Sequence, residues 1–598
     1  MEPLGFFLFL FGAYVWTVPK VDLKRDYRPV LGIGLLFRLV LVFSLPNLSD
    51  DFYRFVWDGR LTNMGINPFD HLPSVLWNSW GSELQDRFAD LWPHLNSQEY
   101  YSVYPTPLQA VFALACKVFP DNAGQAVMVM KFSVFLAEAG SLIILDRLSR
   151  HFKLSPRAVL WYALNPLVLI ELCGNLHFEA FMIFFLLLAI YLLSTEKIWQ
   201  ASAAMAMAIG SKLLPLMFFP LLFRRLGWKR WLLWSALTGI LAGGILFVFL
   251  RPHNIGNFKE SVDLYFSKFE YNASFYYTLQ TLLGNFFWKI KFILPLTVVV
   301  TVFYLSWRDR KALWGDLPAF MLLALTVYQL TSSTVHPWYL APLIALSVLT
   351  RFRFPILWSF LIFATYLTYY NPDYNQPWWL IRFEYLILFA FLAYELLFKI
   401  SGKTLEERVM EIPFLKRMIA RSIPTRVGIK LEKIARHMVP EDNHLDLGCG
   451  NGGLCHALKA KGYQIQPLDV KNISFFDDVQ PLVYDGERIP WPDNSFDTVL
   501  IITVLHHTPD PVAILKEAQR VARKKIILME DIYRNPVQKH LTFFTDSLVN
   551  LEFEGHPHTN KNDNGWRQTF KDLGLGLQSA EYMRTLVFFR QVIYVLET

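Results

Sequence analysis

Ser49-Asp50-Asp51-Phe52-Tyr53-Arg54-Phe55-Val56-Trp57-Asp58-Gly59-Arg60 decides how the first two thirds of the chain is read. It follows an apolar run, Val30 to Pro46, long enough for a membrane span. Carboxylates at the mouth of a membrane helix are costly beside hydrocarbon and should face water or a cavity. The interleaved aromatics suit the headgroup level. A solvated loop start is the plain alternative. Gly65-Ile66-Asn67-Pro68-Phe69 then adds turn residues, so acids, aromatics and turns crowd one loop.

Around this loop the composition is uneven. The chain is 54% hydrophobic, and its 598 residues exceed one domain by length alone. Apolar runs with few charges fill residues 1–400, whereas 439–598 carry the charge density of a soluble protein. The segment 401–438 is basic and reads as a helical linker near anionic headgroups, or equally as a solvated helix of the soluble domain. Many of the basic residues behind the net charge of +7 sit in short loops between apolar runs, so no nucleic-acid partner is expected. Four cysteines show neither metal nor disulfide spacing. The run Pro3 to Val18 lacks a basic start and a small-residue cleavage site, so it reads as a span and not a signal peptide.

Basic residues in short loops set orientation. Lys20, Arg28, Arg147, Arg157, Arg224, Lys229, Arg310, Arg351 and Lys399 are expected on the cytoplasmic side. Asp50 and Asp51 then lie outside, as do His177, Glu179 and His336. Pro107 to Val118 is too short to cross. Ala201 to Phe223 must turn back, with its break at Gly210-Ser211-Lys212-Leu213-Leu214-Pro215. Broken helices at membrane depth are tolerated where they line a cavity. The expectation is about 13 spans, N-terminus outside and C-terminus inside.

One outer cavity would thus collect Asp50, Asp51, Arg54, Asp58, Arg60, His177, Glu179, Lys212 and His336. A carboxylate can act as base towards a hydroxyl, and Lys, Arg and His can hold a phosphate leaving group. The plain alternatives are an interfacial His336, a snorkelling Lys212, helix-capping by His177 and Glu179, and Arg54 and Arg60 pairing with the loop's own acids. Nucleotide sugars are cytoplasmic, so an outward-facing transferase needs a lipid-phosphate donor.

The loop motif resembles the first outer loop of the GT-C superfamily of membrane glycosyltransferases, nearest the polyprenyl-phosphate-mannose-dependent mannosyltransferases. Tyr104-Pro105, Asn165-Pro166, Gly174-Asn175-His177-Glu179, Lys212-Pro215 and His336-Pro337-Trp338-Tyr339 extend the resemblance over residues 25–400. It implies inverting transfer of a sugar from a polyprenyl phosphate to an acceptor hydroxyl. Asp51 is then the base, with Asp50 as its substitute, and Lys212 and His336 contact the donor phosphate. Some members hold a divalent metal near this loop; no complete ligand set is legible, so the metal stays open.

Further along, His444-Leu445-Asp446-Leu447-Gly448-Cys449-Gly450-Asn451-Gly452-Gly453 runs a strand into a glycine turn and a helix. Such a turn lets a ligand approach backbone amides. A second strand ends in Asp469, where a carboxylate can accept ribose hydroxyls. Alternating elements follow, through Tyr484-Asp485-Gly486 and a strand leading to His506-His507. Residues 440–598 resemble class I S-adenosylmethionine-dependent methyltransferases, an α/β Rossmann-like fold. The resemblance implies that Gly448, Gly450 and Gly452 cradle the methionine end, Asp446 its amino group, Asp469 the ribose and Asp485 the adenine. His507 is a base, a substrate contact or a structural histidine. Tyr582 to Leu596 reads as closing antiparallel strands. Asn535 to Asn564 reads as an insertion over the substrate pocket, with His540, His556 and His558 as contacts.

The sum is a polyprenyl-phosphate-dependent membrane sugar transferase, for which the resemblance implies mannose, fused to a cytoplasmic methyltransferase. The rivals are a transporter for a lipid-linked sugar and a membrane-anchored methyltransferase. Internal duplication would favour the first; about 13 spans exceed what the second needs. Protein partners are not legible.

Overall fold

The computed structural model describes residues 2–370, 376–399, 412–534, 538, 559–585 and 589–598. The chain divides into two compact units, Met1–Leu397 and Phe398–Thr598.

The first unit is helical. Among the described residues, two helices are long and apolar enough to cross a membrane, Ala123–His151 and Leu214–Phe247. The number rises to four if the bent pairs Arg157–Ala163 with Pro166–Gly174, and Phe275–Ile290 with Ile293–Arg308, each count as one span. The expected count of about 13 is therefore corrected. Sequence hydropathy runs on through breaks that the backbone does not cross as helix. Glu2–Thr17, Tyr27–Val42 and Glu179–Ser194 are 16 residues each, roughly 24 Å at 1.5 Å per residue and short of the roughly 30 Å hydrocarbon core. The outward side chains of the first two are apolar all the same: Phe6, Phe9, Phe37 and Val40 are all exposed.

The break expected at Gly210–Pro215 is present. Helix Ile198–Ser211 ends, Lys212 is extended at φ −159° and ψ 131°, and a 3-10 turn, Leu214–Phe218, follows. Gly227, at φ 72°, then turns the path within the basic stretch Arg224–Arg230. Thr106–Val118 is the short helix expected there, with Leu108, Gln109 and Phe112 buried. It lies against helix Asp51–Asn63, where Phe55 stacks on Phe112 at 4.8 Å between ring centroids. Gly59 permits that approach, because a Cβ there would sit 2.5 Å from the Phe112 carbonyl oxygen.

The second unit is a seven-stranded mixed sheet. Its strands are β1 Asn443–Leu447, β2 Gln464–Asp469, β3 Leu482–Val483, β4 Phe496–Ile502, β5 Ala522–Ile532, β6 Gly576–Thr585 and β7 Phe589–Glu597. They lie in the order β3-β2-β1-β4-β5-β7-β6. The first five pair in parallel; β7 runs antiparallel between β5 and β6. The closing hairpin expected at Tyr582 to Leu596 is there and begins earlier, at Gly576. Parallel strands buried on both faces read as continuous apolar runs. β4 does from Val499 to Ile501, within a stretch buried from Phe496. The helix Pro413–Ala435, inside the segment expected as a linker, packs on this unit through Ile423, Leu431 and Ile434. Residues 400–411 of that segment lie outside the described residues. So does most of the expected insertion, including His540, His556 and His558.

Gly59→Ala forces its new methyl against a backbone oxygen and is expected to destabilise the chain by about 1–3 kcal/mol. Thermal unfolding of the detergent-solubilised protein reads this. Gly81→Ala, at an open position with φ −73°, should stay within about 0.5 kcal/mol.

Candidate functional sites

Asp50 sits at the N-cap of helix Asp51–Asn63 and Asp51 is its first residue. The Asn96 amide lies 3.5 Å from Asp51 Oδ1. Burial pushes the Asp51 carboxyl above its ordinary value; His177 opposes this, and Glu179 and Asp50 reinforce it. Asp51 is thereby placed in electrostatic reach of both His177 and Glu179.

Those two residues lead to the rest. Lys212 Nζ donates to Glu179 Oε1 at 2.6 Å and lies 4.1 Å from the Tyr339 ring centre. The broken backbone at Lys212 is what turns its ammonium towards Glu179. His177, 3% exposed, stacks on Trp338 at 3.9 Å. Trp338 stacks on His336 at 4.3 Å and 5°, and His336 on Tyr271 at 4.9 Å. Four rings therefore form one column across segments far apart in sequence. Tyr271 is clamped to the His336 segment by its N–H donating to Ser333 O at 3.0 Å and by Val335 N–H donating to Tyr271 O at 2.8 Å. The His336 Nδ1 is buried with no hydrogen-bond partner among the described residues.

Arg54, Asp58 and Arg60 do not join this group. Arg54 Nε donates to Asp58 Oδ1 at 2.8 Å, and its Nη1 donates to the carbonyls of Ser97 and Tyr100. Asp58 also accepts from Ser102 Oγ at 2.5 Å and Gln109 Nε2 at 2.9 Å. Arg60 makes a two-pronged bond to Asp90 at 2.7 and 2.9 Å. All three are buried. Buried charges must be paired, and these are, so all three hold the loop in place. Arg54 pairs with an acid of its own loop, the plain alternative above, while Arg60 reaches Asp90 instead.

Sequence reasoning missed Glu171, Asn96 and Tyr271. Glu171 lies in the π-helical turn Leu169–Gly174 and accepts from Tyr366 Oη at 2.8 Å and Asn175 Nδ2 at 3.2 Å. No local signal marks it; a π-turn at a functional position is a known correlate that only coordinates reveal. Among the described residues no group of three or more His, Cys, Asp or Glu is arranged to hold a metal ion.

In the second unit the glycine turn follows β1. Gly448, Gly450 and Gly452 take φ of 78°, 51° and 76°. Side chains there would be strained, and a Cβ on Gly448 would meet Val504 at 2.6 Å. A Cβ on Gly450 meets nothing within 4 Å, so open space lies over the turn. Asp469 Oδ2 accepts the Gly450 N–H at 2.8 Å, and its Oδ1 accepts Val470 N–H at 2.7 Å. Its Oδ1 also accepts the Lys471 N–H at 3.3 Å, and a carboxylate has about four acceptor positions, so one ribose hydroxyl still finds room on it. Asp446 is 2% exposed, takes the Cys455 thiol at 3.2 Å, and is pushed by burial to a pKa of about 6. Asp485 is exposed and accepts N–H bonds from Glu487 and Arg488 at 2.8 and 3.0 Å, which hold its carboxyl below the usual range. It borders a cleft of about 680 Å3 with Arg488, Trp491 and Arg520. Open glycine turn, buried acid, strand-end acid and rim acid together fit S-adenosylmethionine.

His507 follows β4 in the turn Leu505–His507, its ring 4.2 Å from that of His506. His506 is the buried one; its Nδ1 lies 2.6 Å from Glu530 Oε2. Glu530 also accepts the N–H groups of Val504 and Leu505 at 3.1 and 2.7 Å. Glu530 escaped the sequence reading, although its signal was present: an acid ending β5 beside the end of β4.

Two family comparisons match. Residues 4–226 match the alpha-(1->6)-mannopyranosyltransferase N-terminal domain, and residues 445–529 match the methyltransferase domain. The first match agrees with the mannosyltransferase resemblance as far as residue 226, and the second with the methyltransferase resemblance. The first match contains Asp51, His177, Glu179 and Lys212, and stops short of His336. Alpha-(1->6)-mannopyranosyltransferase A of Corynebacterium glutamicum is 24% identical over 216 residues, 34% of this chain and 42% of that protein. Ajmaline N-methyltransferase of Rauvolfia serpentina is 33% identical over 108 residues, 16% of this chain and 37% of that protein. The chain thus spans less than half the length of either curated relative. A solved SAM dependent methyltransferase from Aquifex aeolicus, 15% identical, covers 29% of this chain and 98% of its own, at TM-score 0.21.

Affinity for S-adenosylmethionine should depend on Asp446 ionisation. Above pH of about 6 the carboxylate is charged and attracts the ammonium; each unit below weakens binding by up to about tenfold. Calorimetric titration across that range measures it, and Asp446→Asn should bind weakly with a flat profile.

Proposed function

We propose that the chain is a fused enzyme. Residues 1–400 form a multi-pass membrane domain that moves a sugar, mannose by resemblance, from a polyprenyl phosphate to an acceptor hydroxyl on the extracytoplasmic side. Residues 439–598 form a cytoplasmic S-adenosylmethionine-dependent methyltransferase. The observation that carries the first half is the Lys212–Glu179 ion pair together with the His177–Trp338–His336 stack, with Asp51 coupled electrostatically to Glu179 and His177. Support for the second is the glycine turn with Asp446 and Asp469 on a methyltransferase-type sheet.

In the transfer step Asp51 takes the proton of the acceptor hydroxyl, whose oxygen attacks the anomeric carbon from the face opposite the phosphate. Its raised pKa suits a base working near neutrality. The anomeric carbon–oxygen bond breaks and its electron pair leaves on the phosphate. Lys212 and His336 receive that charge; electrostatic stabilisation of a leaving group of this kind is usually a large part of the rate. Glu179 holds the Lys212 ammonium in place, and the ring column fixes His336. Asp50 completes the acidic mouth, and His177 links Asp51 to the column.

In the methyltransferase half, S-adenosylmethionine supplies an electrophilic methyl group when bound. Asp446 holds its amino group, the backbone of Gly448, Gly450 and Gly452 its methionine end, Asp469 its ribose and Asp485 its adenine edge. His507 faces the acceptor as base or contact, and the Glu530–His506 pair fixes the turn that carries it. The lipid-linked donor and the bilayer are the partners this reading requires.

Asp51→Asn is expected to lower sugar transfer from labelled polyprenyl-phosphate mannose by at least about a hundredfold, with unchanged expression and unchanged methyl-donor binding. Near-normal transfer would remove Asp51 from the base role.

A further inference from the structure

The helix Pro413–Ala435 has two unlike faces. Its inner face buries Ile423, Leu431 and Ile434 on the methyltransferase unit. Ile423 reaches the glycine turn itself, since a Cβ on Gly453 would collide with it. Lys416 pairs with Asp477 at 2.9 Å and Lys433 with Glu581 at 2.5 Å, pinning the helix along the unit.

The outer face is different. Phe414, Arg417, Met418 and Arg421 follow the i, i+3, i+4, i+7 spacing of one helical stripe. All four are exposed, Phe414 at 71% and Met418 at 53%, and Ile412, just before the helix, is 47% exposed. Among the described residues, Arg417 bonds only back to the Pro413 carbonyl of its own helix. The helix carries no acid before Glu432. Large apolar side chains flanked by arginines, with no acid among them, are the composition of a helix lying in an anionic lipid interface.

We propose that this stripe docks on an anionic bilayer surface and thereby seats the cofactor-binding unit among the headgroups. The proposal rests on the membrane reading of residues 1–400. The chain's continuity supports it: the apolar helix Trp378–Tyr394 and the turn Glu395–Lys399 end about a dozen residues before Pro413. A dozen residues extend no further than roughly 40 Å, so the stripe stays within reach of the surface. Charge complementarity selects anionic lipid over neutral lipid, and the arginine flanks make attachment sensitive to salt.

The test uses the full chain with Met418→Cys carrying an environment-sensitive fluorophore. The native cysteines Cys116, Cys173, Cys449 and Cys455 are buried, so labelling is selective. The protein is placed in nanodiscs of phosphatidylcholine with or without phosphatidylglycerol, and quenchers are carried by the lipid or by the water. The expected result is severalfold stronger quenching from the lipid side when phosphatidylglycerol is present, reversed by salt. Arg417→Gln with Arg421→Gln should abolish that difference while S-adenosylmethionine binding stays unchanged. A label quenched only from water in anionic discs overturns the docking. So does a label shielded equally in both lipids and in the double variant, which would mean a protein surface covers the stripe. Failure of the chain to enter the discs overturns instead the membrane reading beneath it.

Discussion

A charge removed from water inside an apolar helical body has to find a partner, and the first unit is arranged by that requirement. Arg38 and Glu138, both fully buried, pair at 2.9 Å. Arg54 pairs with Asp58, Arg60 with Asp90, and Lys212 with Glu179. Burying such pairs is costly, and breaking one costs more than forming it gains. Most of the ionisable groups around the first loop are thereby committed to holding helices together. Asp51 and His336 stand apart: one is flanked by like charges, and the other has an imidazole nitrogen with no hydrogen bond among the described residues. Those departures from full pairing mark where a substrate is expected to complete the set.

Rigidity at that place comes from ring stacking. Tyr271, His336, Trp338 and His177 form a column whose members come from three segments far apart in the chain, and offset aromatic pairs hold orientation as well as area. A side chain in such a column cannot swing independently. The broken helix at Lys212 does the complementary work, since an unbroken one would carry the ammonium past Glu179 along its own axis.

The second unit solves a different problem, bringing a polar ligand close to backbone. Positive φ at Gly448, Gly450 and Gly452 opens the space, and Asp469 draws the turn against the end of β2 through the Gly450 N–H. The Glu530–His506 pair fixes the turn after β4, next to the Val504 side chain that closes on Gly448. Cofactor cradle and putting of the second histidine into place are thus one connected piece of structure.

Much of this was legible in the residues. The glycine turn, its two acids, the alternation of strands and helices and the break before Pro215 are local signals, set by φ preferences, strand-to-helix spacing and the lack of a proline N–H. The first loop and the positions Lys212 and His336 were also marked by their neighbours in sequence. The number of spanning helices was not legible. Hydropathy sums over a window and is blind to where 3-10 and π turns interrupt the backbone. The division of the loop charges into Arg54, Asp58 and Arg60, which brace it, and Asp51, which does not, depended on Asp90, Ser102 and Gln109. Partners 30 to 51 residues away have no periodicity to announce them. Chain-local chemistry determined which residue types could act here; only the packing of distant segments decided which of them were left with charge or lone pairs to offer.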